Sequence, residues 1–237
     1  MSRKRPAPGK KFYGKGLPRV RPDSLKGMLI VIEGPDGSGR STQVEFLKSW
    51  LESKGHAIVD IGLKRSNLVS KQLNQILEGN ILNPVTLSLF YATDFADRLE
   101  NEIIPALRAG FVVVTDRYIY SLMARAIVRG ADPEWLRDVY GFALKPNAML
   151  YLRVKIDDLV TRVLQSNGFD YWESGMDLHM GEDMYESFVR YQKWVLAEFD
   201  KMVENYGFNV VDASGSIEDV FADLRDRVDE VVARNGR

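Results

Sequence analysis

Residues 28–43 read MLIVIEGPDGSGRSTQ, and this stretch decides the fold. Met28, Leu29, Ile30, Val31 and Ile32 form a short apolar run of the kind that becomes a fully buried strand. Gly34, Pro35, Asp36, Gly37, Ser38 and Gly39 suit neither helix nor strand, and Arg40, Ser41, Thr42 and Gln43 then open an amphipathic helix. Strand, glycine-rich loop and helix, in that order, are the context of a phosphate-cradling loop. Its glycines let backbone N–H groups turn toward an anion, and the helix N-terminus adds partial positive charge. Ser41 stands where a hydroxyl ligates the Mg²⁺ of a nucleoside triphosphate. The usual lysine is replaced by Arg40. The alternative is an ordinary glycine-rich turn between strand and helix.

Working outward, alternating strands and helices continue to the C-terminus. Strands are expected over 57–61, 111–115, 148–154 and 209–211. Helices are expected over 41–54, 69–78, 84–108, 121–128, 133–142, 156–164, 182–206 and 216–233, with a glycine-punctuated irregular segment over 166–181. The pattern predicts an α/β fold, a five-stranded parallel sheet with helices on both faces. Its 237 residues suffice for one such domain. Asp116 ends the apolar run FVVVT at a strand tip, where a carboxylate can hold Mg²⁺, and Arg117 follows it into the same crevice. A purely structural Asp–Arg pair is the alternative. Lys64 and Arg65 follow the second strand, at a carboxyl end where ligands sit in open α/β sheets.

Composition excludes several classes. There is no cysteine, hence no disulfide framework and no thiolate metal site, and His56 and His179 are the only imidazoles. No apolar run reaches membrane-spanning length and no apolar signal core follows the basic N-terminus, so a cytoplasmic protein without a membrane partner is expected. Residues 1–27 hold nine Lys/Arg and one acid, whereas the rest holds 23 basic and 32 acidic residues. The reading is a basic, flexible N-terminal extension (1–27) followed by one catalytic domain (28–237). A nucleic-acid partner is not expected beyond a weak role for that extension, which lacks periodicity and has only Phe12 and Tyr13 as aromatics.

The chain resembles the thymidylate kinase family of P-loop nucleoside monophosphate kinases. The resemblance covers 28–234 and rests on IEGPDGSGRSTQ (32–43), IIPAL (103–107), DRY (116–118) with Ser121 after it, and VDASGSIEDVF (211–221). It implies a P-loop kinase with a lid, transferring the γ-phosphoryl of ATP to dTMP to give dTDP, with Mg²⁺ and as a homodimer. Gly34, Pro35, Asp36, Gly37, Ser38, Gly39, Arg40, Ser41 and Thr42 would then cradle the donor phosphates, and Ser41 and Asp116 would organise the metal. Asp36 would meet the acceptor's 3′-hydroxyl, Arg117 its phosphate. Arg162 would start the lid, and residues 212–215 would face adenine. Arg40, Asp36, Arg117 and Arg162 are thereby the candidate catalytic residues.

The departures from the family cluster on the acceptor side. Phe95, after Asp94, stands where the family has an arginine, and Arg98 lies one turn further on. Leu122, Met123, Ala124 and Arg125 replace the residues that meet ribose and base, with Arg125 in the place of a tyrosine. No Lys or Arg occurs between Arg162 and Arg190, and that segment carries Asp170, Glu173, Asp177, Glu182, Asp183 and Glu186. Such a lid repels bare triphosphate; it can hold a metal, receive a cationic group or pair with arginines of the body. Tyr171 and Trp172 are candidates for stacking on a base. Acceptor binding is therefore assigned to Phe95, Arg98, Arg117, Arg125, Tyr171 and Trp172. Two alternatives stay open: a kinase of this fold with another acceptor, and a nucleotide-binding protein without catalysis.

Overall fold

The computed structural model describes residues 10–63, 66, 68–69, 71–73, 75, 82–166 and 168–235. Lys64, Arg65 and most of the helix expected over 69–78 lie outside the described residues. Five parallel strands form one sheet: β1 Met28–Glu33, β2 Ile58–Gly62, β3 Val112–Asp116, β4 Ala148–Arg153 and β5 Asn209–Asp212, in the order β2-β3-β1-β4-β5. The helices are α1 Arg40–Ser53, α2 Pro84–Arg98, α3 Ile104–Ala109, α4 Ile119–Val128, α5 Pro133–Val139, α6 Ile156–Gln165, α7 Met184–Tyr206 and α8 Ile217–Asn235.

β1 lies at the centre because every one of its residues is buried, so both faces need cover. Successive side chains point to opposite faces. Leu29 and Val31 enter a core with Phe95, Leu107, Tyr118 and Phe199, under α2, α3, α4 and α7. Met28, Ile30 and Ile32 enter the other core with Leu47, Leu51, Leu159 and Leu224, under α1, α6 and α8. Ile32 pairs with Asp116 in register, so the glycine-rich loop after β1 and the turn after β3 emerge side by side at the carboxyl edge.

Two expectations change. The helix expected over 84–108 is two helices joined by a wider π turn, Leu99–Ile103. Pro105 explains the break: it has no N–H, and its ring crowds the carbonyl four residues back. The N-terminal extension is not loose over 10–27. Phe12 makes an isolated bridge with Leu144, Tyr13 N–H donates to the Ala143 carbonyl at 3.0 Å, and Lys145 N–H donates to Lys11 at 2.7 Å. The Tyr13 ring packs edge-on against Tyr120 and Tyr206, its hydroxyl hydrogen-bonds that of Tyr120, and Leu25 is 5 % exposed. Backbone hydrogen bonds and ring contacts, with Lys145 over the Tyr13 ring at 5.2 Å, hold the extension to the body. The expectations for residues 1–9 lie outside the described residues.

Tyr13→Ala removes the ring contacts and the hydroxyl bond together. It should destabilise the fold by about 2 kcal/mol, lowering Tm by roughly 4–8 °C in a thermal melt. An unchanged Tm would show that the extension contributes nothing to the fold.

Candidate active site

The glycine-rich loop folds tightly against Leu159 and Val163 of α6. Gly37 has φ +81°, and a Cβ there would come within 2.8 Å of Val163. Gly39 caps α1 at φ 85°. The first turn of α1 has neither an acidic residue nor a side-chain cap. Its N-terminal N–H groups are therefore suited to an external anion.

Arg40 lies across this loop. Its Nε donates to Asp116 Oδ1 at 2.7 Å, its Nη1 donates to the Gly34 carbonyl and to the Pro35 carbonyl at 2.6 Å, and its Nη2 is 3.6 Å from Asp36. Ser41 Oγ donates to the other Asp116 oxygen at 3.0 Å. Asp36 receives two further arginines: Arg117 on Oδ1 and Arg125 on Oδ2. One carboxylate thus faces three guanidinium groups.

Local structure aims these side chains. Arg117 has φ +72°, unusual for a residue with a Cβ. The kink turns the chain from β3 into α4, while Arg117 N–H continues the ladder by donating to Ile32 at 2.9 Å. Glu33 holds the turn in place. It is fully buried and accepts from Tyr118 N–H at 2.7 Å, from Ser121 N–H at 3.1 Å and from the Ser121 hydroxyl. Burial pushes its carboxyl up, against these hydrogen bonds and the charge of Arg40. Burial, and then the charge of Arg125, pull the Arg117 guanidinium down to about 9. Arg117 therefore stays charged at neutral pH, crowded by another cation. Its Nε is buried and has no partner among the described residues. A buried, unmatched donor beside a like charge is a place for an anion.

Next to this cluster opens a cleft of about 520 Å³, lined by Leu87, Tyr91, Leu122, Arg125, Tyr140 and Trp172, among others. A smaller cavity of about 230 Å³ beside Arg117 is lined by Phe95 and Arg98.

A family model described as thymidylate kinase matches residues 32–224. The chain belongs to the thymidylate kinase family. It is similar to a "Probable thymidylate kinase 2" of Saccharolobus solfataricus, 35 % identical over 88 % of this chain and 98 % of that one. It is also similar to a "Thymidylate kinase" of Bifidobacterium longum subsp. infantis, 34 % identical over 90 % and 95 % of the two chains. A "Probable thymidylate kinase" of Thermococcus gammatolerans is 29 % identical over 87 % and 98 %. The protein is thus a nucleoside monophosphate kinase, of the family that phosphorylates dTMP to dTDP at the expense of ATP.

In this kinase Asp36, Arg40, Ser41, Asp116, Arg117 and Arg125 come together as one cluster, and Trp172 lines the cleft. Gly34 and Pro35 join it through Arg40, whereas Phe95, Arg98, Tyr171 and Arg162 sit outside it. Phe95 is 3 % exposed and packs edge-on against Tyr118 at 4.9 Å, as core rather than as a wall of the larger cleft. Arg98 is buried and reaches Glu102 at 3.4 Å. Tyr171 is 41 % exposed, in a turn where the Asp170 carboxylate accepts from the N–H groups of Trp172 and Glu173. Arg162 donates to the Ala213 carbonyl at 2.7 Å, joining α6 to the loop after β5. The acidic segment pairs with arginines of the body: Glu173 lies 3.6 Å from Arg125, and Asp177 binds Arg129. Arg129 had no sequence assignment. Its signal was its place one turn after Arg125 on a helix facing an acid-rich, cation-free loop. Among the described residues no helix is long and apolar enough to cross a membrane.

Glu33→Ala strands three buried donors of the turn after β3. It should cost about 3 kcal/mol, read as a lower midpoint in urea with an unchanged slope. A midpoint shift worth under about 0.5 kcal/mol would mean that Glu33 does not anchor the turn.

Proposed function

We propose that the protein phosphorylates dTMP with ATP and Mg²⁺, and that both phosphate groups enter by displacing Asp36 and Asp116 from the arginines they now hold. The observation that carries this reading is the convergence of Arg40, Arg117 and Arg125 on Asp36, at the junction of the phosphate loop and the aromatic cleft. Phosphoryl transfer demands alignment and charge neutralisation more than covalent help from the protein. Three guanidinium groups at one point supply the neutralisation, and a phosphate offers them more charge than one carboxylate does.

In this reading Arg117 and Arg125 grip the acceptor phosphate, and the unpartnered Nε of Arg117 takes one of its oxygens. Arg40 turns from Asp116 to the donor phosphates, with the loop 34–42 cradling them. Asp36, once released, accepts the 3′-hydroxyl of the acceptor sugar. The base lies in the cleft against Trp172, Tyr91 and Tyr140. Arg98 lines the smaller cavity beside Arg117 and is held by Glu102, so it does not meet the base. Arg162 shapes the loop after β5, where the family places adenine, rather than meeting the transferred group.

The Ser41 hydroxyl and Asp116 carboxylate, 3.0 Å apart, present the hard oxygen donors that Mg²⁺ prefers. No cluster of three or more acidic, histidine or cysteine ligands exists among the described residues, so phosphate oxygens and water would complete the coordination. The ion supplies charge neutralisation to the donor phosphates. Val85 and Leu89, both about half exposed on α2, support a homodimer through that helix.

Arg117→Ala should lower kcat/KM for dTMP by about 10³ or more while the Kd for ATP stays within a few-fold, measured by coupled ADP release and equilibrium binding. An equal loss of ATP affinity would overturn the assignment of Arg117 to the acceptor. Arg40→Lys keeps the charge and should retain turnover within about tenfold. A dead Arg40→Lys enzyme would show that the donor needs the two-pronged contact of an arginine.

A further inference from the structure

Arg125 lies in the last turn of helix α4 and Arg129 caps its C-terminus, four residues on. Arg129 is the more completely held. Its Nε and Nη2 donate to the two oxygens of Asp177 at 2.8 and 3.0 Å. Nη2 also donates to the Trp172 carbonyl at 2.9 Å. Nη1 donates to the Tyr191 hydroxyl at 2.5 Å and to the Arg125 carbonyl at 3.3 Å. A guanidinium has five N–H bonds, and all five are used here. The group also lies over two rings, 4.8 Å from the centre of Trp172 and 4.9 Å from that of Tyr191. The Arg129 and Asp177 side chains are 8 % and 9 % exposed.

Such an arginine has no donor left for a substrate, although it lines the cleft. What it does is fix Trp172 twice, by backbone carbonyl and by ring face. We propose that Arg129 is a positioning residue that holds Trp172 as a preformed wall of the base pocket before either nucleotide binds. This rests on the reading of the cleft as the site of the acceptor's pyrimidine. An ordered aromatic wall binds a flat base without the cost of first ordering the loop. It also gives the acidic segment a use: with no cation of its own between residues 162 and 190, the segment cannot clamp a triphosphate, and its acids lock it onto α4 instead.

The test compares Arg129→Ala with Asp177→Asn in the full-length protein, by dTMP binding without ATP, by ATP binding, and by amide hydrogen exchange over residues 170–180 without nucleotide. Asp177→Asn loosens the clamp while leaving the arginine in place. Both variants should weaken dTMP binding by about tenfold or more, the scale of one base–aromatic stack, and leave ATP affinity within about two-fold. Both should speed exchange over 170–180. If Asp177→Asn keeps or tightens dTMP binding while Arg129→Ala weakens it, Arg129 touches the acceptor itself and the positioning role is wrong. If exchange is unchanged in both variants, the clamp is overturned whatever the cleft binds. Faster exchange with unaltered dTMP binding would place the base elsewhere, and the failure would then belong to the reading of the cleft.

Discussion

The site depends on how one carboxylate, Asp36, balances Arg40, Arg117 and Arg125. Buried cations are tolerated only when paired, and removing their partner is costly. Asp36 lets the protein fold with three arginines already converged and no phosphate present. The backbone accepts a left-handed residue at Arg117 to bring one of them in. Glu33 then accepts three hydrogen bonds that fix that turn. The arrangement is poised rather than satisfied: Arg117 keeps an unmatched donor and a cationic neighbour. In the proposed reading a phosphate resolves both.

A second division of charge sits beyond this cluster. The acids lie on the segment that follows α6, and the arginines that hold them lie in the last turn of α4 and at its C-cap. Arg125 belongs to both systems, since it meets Asp36 of the phosphate loop and lies near Glu173. Phosphate loop and acidic segment therefore share one guanidinium.

Features set by neighbours in sequence were legible. The run 28–43 contains its own strand, turn and helix start, and FVVVT leads directly into Asp116 and Arg117. Features set by distant partners were not. Phe12 and Tyr13 read as two stray aromatics in a basic tail, because Leu144, Tyr120 and Tyr206, which receive them, are far along the chain. Arg129 meets residues 172, 177 and 191, so its role follows only from tertiary packing. Phe95 could be aligned with the family's arginine, but its burial against Tyr118 depends on where α2 crosses the sheet. The acidic segment was read as able to pair with arginines of the body, and the choice among its possible roles needed the fold.

The most direct test of the account is ADP release from ATP and Mg²⁺ with dTMP, set beside the other nucleoside monophosphates under the same conditions. An arginine cluster that accepts a phosphate, next to an aromatic cleft that accepts a pyrimidine, predicts turnover with dTMP above that of the purine monophosphates. ATP binding without turnover of dTMP, or faster turnover of another acceptor, would contradict it.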